Sequence, residues 1–226
     1  MITSFDPLDG VLALCLTVAA LACLYDRHLV RACCCFVGFA LAMTLSWWRL
    51  GAPWLAVAEL LLGALLTGLC FFYALGRVAR GASSPLKYDT FSDAWPRTIA
   101  RALLALGWLV MVGGAIRYVI PDMAYSPAEQ PLLLAGVMMA AGALSAFALH
   151  RHLVRRLLAF NILGSGVFIL LAGLAGTSAA AQVLIGVGLC VAWLGSMLGA
   201  LLIRQLMHLQ GADSLGGDGD SKERAT

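Results

Sequence analysis

Residues 51–63 read Gly51-Ala-Pro-Trp-Leu-Ala-Val-Ala-Glu59-Leu-Leu-Leu-Gly63, and the apolar run that they begin continues to about Gly76. A run of this kind is long enough to cross a bilayer, which takes about 20 mostly apolar residues. Glu59 is the only acidic side chain set well inside a long apolar segment of the chain. Counted from Pro53 at about 1.5 Å per residue, it lies about 9 Å into the helix.

The position of Glu59 allows two interpretations. A carboxylate in hydrocarbon costs roughly 2.5–3.5 kcal/mol on insertion scales, unless it is protonated, paired or open to a wet cavity. Because of this cost, an intramembrane carboxylate indicates a proton or cation site, and this is the interpretation that we favour. The alternative is a carboxyl near a helix end that only hydrogen-bonds a neighbouring helix.

The composition of the chain indicates an integral membrane protein. Its 226 residues are 62% hydrophobic and 12% charged, whereas a soluble domain carries about 25% charged residues. The net charge of +3 is too small to predict a nucleic-acid partner. No Lys or Arg precedes the first apolar stretch, so this stretch is expected to remain as a membrane helix rather than to act as a cleaved signal.

The sequence shows no pattern typical of a cofactor, metal or soluble-enzyme site. The seven cysteines include no CxxC pair, and three adjacent ones, residues 33–35, point about 100° apart on a helix. HExxH, GxSxG and glycine-rich phosphate loops do not occur. The four histidines fall at predicted helix ends, which favours interfacial anchoring over metal or haem binding. We therefore predict a non-enzymatic chain without cofactor or metal.

The hydropathy pattern predicts seven transmembrane helices, and the basic residues predict that the N-terminus is outside and the C-terminus cytoplasmic. The predicted helices cover residues 8–25, 29–48, 53–76, 99–120, 131–149, 153–175 and 179–203. In this orientation only Arg49 and Arg117 face outside, and the other 13 of the 15 Lys and Arg face inside. The inside residues are Arg27, Arg31, Arg77, Arg80, Lys87, Arg97, Arg101, Arg151, Arg155, Arg156, Arg204, Lys222 and Arg224.

Two segments lie outside this helical pattern. Residues 77–98 form the longest loop, which is predicted to be cytoplasmic, and its aromatic residues are expected to rest at the headgroup level or to touch a partner. Residues 206–226 are rich in glycine and charge and have little to bury, so they are predicted to be a disordered cytoplasmic tail.

Helices associate in lipid through small and polar residues, and two such faces occur here. On the third helix, Glu59, Gly63 and Thr67 recur every four residues and are predicted to pack inward. On the sixth helix, Asn161 and Ser165 share a face with Gly164 and Phe168. For Asn161 an interhelical hydrogen bond is favoured over ion coordination. A third, weaker signal is the Gly195-Ser-Met-Leu-Gly199 pair on the seventh helix.

The first 76 residues resemble the MbhD-like domain of Mrp-type cation/proton antiporters and of membrane-bound hydrogenases related to complex I. That family's motif is roughly G-A-P-D-V-A-x-T-E-A-x-V-G, and residues 51–63 match it at six positions, Glu59 among them. The turn Asp26-Arg-His-Leu-Val-Arg-Ala32 resembles the family's basic turn. Trp54 stands in place of the usual Asp and Ala58 in place of Thr, and both changes remove polar groups.

Residues 131–205 resemble the small three-helix MrpC/NuoK-type subunits. The resemblance rests on the basic turn at residues 150–156, on Leu157-Leu-Ala-Phe-Asn-Ile-Leu-Gly-Ser-Gly166 and on Ala181-Gln-Val-Leu-Ile-Gly186. No acidic residue occurs in 179–203, so the resemblance to the acid-free MrpC type implies a scaffold. The linking segment, residues 99–130, is similar to an MbhE-like piece. The resemblances together imply a natural fusion of two subunits.

The resemblances imply a membrane subunit of an Mrp-like or complex I-like assembly in the bacterial inner membrane, next to large antiporter-like subunits. Glu59 would relay protons, since a carboxyl balanced between burial and a nearby cation or water can load and release one. Thr67, Asn161 and Ser165 are auxiliary polar candidates. The alternative is a purely structural subunit, which the losses at Trp54 and Ala58 favour. A stand-alone enzyme or quinone/haem protein is a third, weaker hypothesis.

Overall fold

The computed structural model describes residues 7–26, 28–75, 95–119, 131–150, 152–176 and 178–223, which form seven helices and no β-strand. The helices are α1 (Pro7–Tyr25), α2 (Leu29–Arg49), α3 (Pro53–Leu75), α4 (Trp95–Val119), α5 (Pro131–Leu149), α6 (Leu153–Ala175) and α7 (Ala179–Glu223). The predicted all-α class is confirmed, and every predicted apolar segment contains a helix.

Six of these helices are long and apolar enough to cross a membrane, and α7 meets the criterion over Ala179–Leu206. Within the described residues of α4, only Leu106–Ala115 forms an apolar helix, which is shorter than a span. Basic residues toward both ends of α4 lower its hydropathy. A multi-pass membrane protein is therefore supported, while the seventh span and the orientation stay predictions.

Two predictions concern segments at the edges of the described structure. Most of the predicted loop, residues 77–94, lies outside the described residues, and the chain is helical from Trp95 onward. We predict a disordered tail over residues 206–226, but the structure continues α7 to Glu223. The chain has no proline after Pro131 to stop a helix there, although its glycines there weaken helix propensity.

The two ends of the chain form three-helix units with the same layout. The first unit is α1–α3 and the second is α5–α7. The first helix of each unit begins at a proline, Pro7 or Pro131, where the missing N–H costs nothing. The sequence Arg-His-Leu-Val-Arg occurs where the first and second helices of each unit join, at residues 27–31 and 151–155. The second turn of each contains a glycine at positive φ, Gly51 at 75° and Gly176 at 66°. Only glycine adopts this left-handed conformation without strain.

Helices α1 and α5 pack side by side and run in the same direction. At one end, the rings of Tyr25 and His150 meet edge to face at 6.2 Å, and the Tyr25 hydroxyl lies 3.3 Å from Ser145 Oγ. At the other end, Asp9 and Pro131 line one cavity of about 240 Å³. The contact between α1 and α5 joins the two units, and contacts of α3 with α7 close the bundle.

Glycines allow α5 and α6 to approach each other closely. A Cβ added at Gly166 would lie 2.9 Å from the Gly136 carbonyl oxygen and 3.0 Å from the Ala140 nitrogen, which are both backbone atoms. The reciprocal Cβ at Gly136 would lie 3.2 Å from the Gly166 oxygen. Lipid gives little hydrophobic reason for helices to associate, so this close backbone contact supplies much of the packing.

We predict that Gly166→Ala weakens the α5–α6 interface, because the new methyl group meets backbone atoms that cannot rotate away. The expected loss is about 1–3 kcal/mol, as for overpacking in a well-packed core. The matched control is Gly164→Ala, whose Cβ would meet only the Phe168 ring at 3.9 Å. Thermal unfolding in mild detergent measures both, and equal midpoints for the two variants would contradict the close contact.

Candidate functional site

Glu59 lies about two turns into α3, at the start of an irregular stretch of that helix. The helix is regular over Pro53–Ala58, takes π-helical form over Glu59–Thr67 and returns to α-helix over Gly68–Leu75. Each π-helical hydrogen bond spans five residues, and π-helical turns are frequent at functional sites. The sequence pattern does not predict this stretch.

The Glu59 carboxyl is enclosed by α2 and by its own helix, with only 2% of the residue exposed. Its Oε1 occupies the space that a side chain at position 63 would need, since a Cβ on Gly63 would lie 2.3 Å from it. The fully buried indole of Trp47 on α2 faces the carboxyl. Even so, Glu59 Oε2 and Trp47 Nε1 each lack a hydrogen bond of ordinary geometry among the described residues.

An unpaired carboxyl oxygen in a buried position is rare, because most buried polar groups find a partner. The Trp47 indole on the neighbouring helix faces this carboxyl, as the interhelical alternative expects, while Oε2 has no hydrogen bond of ordinary geometry among the described residues and can accept a further donor. The sequence does not predict Trp47 as a neighbour of Glu59. Trp47 lies on the preceding helix, and no local sequence pattern links the two residues.

Thr67 also faces inward, so the predicted inward packing of the Glu59 face is confirmed by burial of both residues. The Thr67 hydroxyl donates to the Leu62 carbonyl at 2.7 Å, five residues earlier in the same helix. This bond satisfies a carbonyl within the π-helical stretch. Thr67 therefore serves its own helix, and no described contact joins it to Glu59.

Asn161 makes the interhelical hydrogen bond that the sequence favours. Its Oδ1 accepts from the Ser196 hydroxyl on α7 at 2.9 Å, and its Nδ2 donates to the Leu157 carbonyl at 2.9 Å. Ser196 also lies 2.8 Å from the Ala192 carbonyl. Ser165 is buried on the same face of α6. In the sequence, Ser196 is distinguished only by following Gly195, so its bond to Asn161 is not predicted.

The structure does not bring Glu59 and Asn161 into one site. Glu59 lies about 9 Å from the start of α3, at the end of the bundle that holds Asp9 and Pro131. Asn161 lies about 12 Å from the start of α6, which is at the opposite end. Glu59 and Asn161 therefore lie in different halves of the bundle.

Arg155 is a further important residue, which the sequence presents only as one of several topology-setting cations. It is 1% exposed, and its guanidinium donates to the Leu24 carbonyl at 2.9 Å and to the Asp26 carbonyl. Nearby, the Asp26 carboxylate accepts from Arg31 and from the His28 backbone N–H. The hydrogen bonds from Arg31 lower the pKa of Asp26 below its usual value, with a smaller contribution from the His28 N–H.

No metal centre forms in the described part of the chain, where no three His, Cys, Asp or Glu side chains gather as ligands. His28, His150 and His152 all lie around the turns at the Arg155 end. The seven cysteines are free thiols, and a free cysteine behaves as a small apolar side chain.

One known family model matches the front of the chain. The family model MbhD, which represents one of the subunits of MBH, matches residues 14–80, a range that holds α2, α3 and Glu59. The resemblance of the first third is thereby confirmed. This family consists of subunits of membrane-bound hydrogenases and Mrp-type systems, which are multi-subunit membrane complexes. No curated protein and no solved structure matches the chain.

We predict that Gly63→Ala displaces the Glu59 carboxyl without removing it, because the added Cβ takes the place of Oε1. Infrared difference spectroscopy of the purified protein across pH should show a shifted carboxyl band, which Glu59→Gln assigns by abolishing it. The matched control is Gly38→Ala, whose Cβ meets no atom within 4 Å. A Glu59 band that is the same in Gly63→Ala and the control would show that Gly63 does not position the carboxyl.

Proposed function

We propose that this protein is a membrane subunit of an Mrp-like or complex I-like cation/proton-translocating assembly, in which Glu59 exchanges protons with a neighbouring subunit. The single observation that carries the proposal is the Glu59 carboxyl, buried inside the region that matches MbhD and left with an unpaired oxygen. Burial without a partner is costly, so it is retained where the group has a role. The chain itself is proposed to be non-enzymatic, with large antiporter-like subunits as its partners in the bacterial inner membrane.

The second unit, α5–α7, is proposed to act as the MrpC/NuoK-like scaffold. Two features support this role. Its short turns and tight α5–α6 crossing make a compact three-helix unit, and its polar pair Asn161–Ser196 is satisfied between its own helices. At the place in α7 that corresponds to Glu59 by distance from the helix start, the sequence has the apolar Ile185. The unit thus holds no carboxyl comparable to Glu59 in its spans.

A purely structural role is the second candidate, and one observation favours it. The polar groups of Thr67 and Asn161 already form local and interhelical hydrogen bonds. No chain of polar side chains therefore leads from Glu59 through the described part of the bundle. Trp54, which replaces the family's usual Asp, is 73% exposed and lies on the outer surface of α3. In this case Glu59 would hold α3 against α2 and contribute to assembly alone.

The directions of the helices support a membrane crossing by α4. Helix α3 ends near Arg204, whose guanidinium lies 4.3 Å from the centre of the Tyr73 ring. Helix α5 begins at the opposite end, beside Asp9. Between them the chain must pass from one end of the bundle to the other. Helix α4, with 25 residues, is about 37 Å long, which is enough for the roughly 30 Å hydrocarbon core. We therefore propose seven spans, with the Arg204 end inside.

We predict that Glu59→Gln leaves the complex assembled but lowers cation/proton exchange in vesicles. Glutamine keeps the size of the side chain and cannot take up a proton, so exchange should fall by roughly a hundredfold, the scale of losing a positioned proton-transfer group. The paired variant is Glu59→Ala, which leaves a cavity beside Trp47. If Gln preserves exchange while Ala disrupts assembly, the structural role is correct and the relay is not.

We predict that α4 places residues 83 and 126 on opposite sides of the membrane. In a variant without the native cysteines, Ser126→Cys should react with a membrane-impermeant maleimide in intact cells. Ser83→Cys should react only after the cells are opened. Labelling of both sites in intact cells, or of neither, would contradict the crossing by α4.

A further inference from the structure

A groove of about 400 Å³ runs between α6 and α7 at the end of the bundle that holds Arg155. Its walls are apolar, and its α7 side extends from Gly195 to Leu206. Gly195 and Gly199 have no side chain to fill the groove, and Phe160 and Leu157 of α6 approach them there. The volume falls in the usual range for small-molecule sites, roughly 300–1,000 Å³.

One cationic side chain, that of Arg156, lines this groove. Arg156 is exposed, and its guanidinium carbon lies 4.6 Å from the centre of the Phe147 ring, which also lines the groove. Among the described residues no carboxylate pairs with it. Its neighbour Arg155 is already bound to backbone carbonyls, and Arg31 is paired with Asp26. Within the side chains that the structure describes, Arg156 therefore has no carboxylate partner, and its planar N–H donors match a phosphate group.

The length of the groove distinguishes between possible occupants. From Gly195 to Leu206 it extends about 16 Å at 1.5 Å per residue. This is close to one leaflet, half of the roughly 30 Å hydrocarbon core. A partner's transmembrane helix would need a surface across both leaflets, whereas this groove ends near the middle of the Ala179–Leu206 span. A single acyl chain extends through one leaflet and has its headgroup at the basic end.

We propose that the α6–α7 groove binds an anionic phospholipid, with one acyl chain along Gly195 and Gly199 and its phosphate at Arg156. Basic pockets between transmembrane helices on the cytoplasmic side are recognised lipid sites. Helices α6 and α7 belong to the unit outside the MbhD match, so the lipid would seal a surface of the scaffold unit. This proposal does not depend on Glu59.

The test measures which lipid the purified chain keeps. The protein is reconstituted in vesicles of equal phosphatidylglycerol and phosphatidylcholine, re-extracted in mild detergent and weighed by native mass spectrometry. Wild type should retain phosphatidylglycerol in preference to phosphatidylcholine. Arg156→Gln should reduce this preference by about fivefold, which corresponds to about 1 kcal/mol per basic residue near an anionic surface. Arg156→Lys should keep most of it.

Two further variants test whether lipid retention depends on the groove or only on positive charge at this end of the bundle. The matched control is Arg204→Gln, which removes a cation at the same end of the bundle, where it lies over Tyr73 and away from the groove. It should leave the preference unchanged. Leu202→Trp should fill the groove and lower retention of both lipids, since Leu202 is a half-exposed residue of its wall. Equal loss in Arg156→Gln and Arg204→Gln, or no preference in wild type, would overturn the site.

Discussion

The guanidinium of Arg155 joins the two three-helix units at one end of the bundle. The last carbonyls of a helix have no partner in their own helix, and a buried helix end needs donors from elsewhere. At the end of α1 two of these carbonyls, of Leu24 and Asp26, accept from Arg155. The cation also faces the negative end of the α1 dipole. This contact fixes the start of α6 against the end of α1 and so supports the parallel pairing of α1 and α5.

Around this fixed end, the bundle associates through small residues and a few polar bonds, as lipid requires. Gly136 and Gly166 bring α5 and α6 together, while Asn161 and Ser196 join α6 to α7. The first unit differs because α3 becomes π-helical as it passes α2. Gly63 lies within this stretch, and its missing side chain leaves room for the Glu59 carboxyl.

The sequence predicts the helices well, because hydropathy and proline positions are local signals. All seven predicted segments contain helices, and the bond expected for Asn161 is present. The π-helical stretch escapes prediction, since it depends on how α3 packs against α2 and not on its own residues. Trp47 and Arg155 escape for the same reason: their partners lie on other helices, 12 and 131 residues away along the chain. Extension of α7 past Leu206 runs against composition, which favours disorder there.

Glu59 alone cannot carry a proton through this bundle. Roughly 24 Å of helix separate it from Leu75 at 1.5 Å per residue, and the described side chains along that distance are apolar or locally bonded. Under the proposed relay, a proton on Glu59 leaves either by the near end of α3, about 9 Å away, or sideways at the α2–α3 surface through a donor from another chain. A buried carboxyl without a polar path through the described residues is what one member of a shared path would contribute. The structural role requires no such path, so exchange by Glu59→Gln in the assembled complex separates the two.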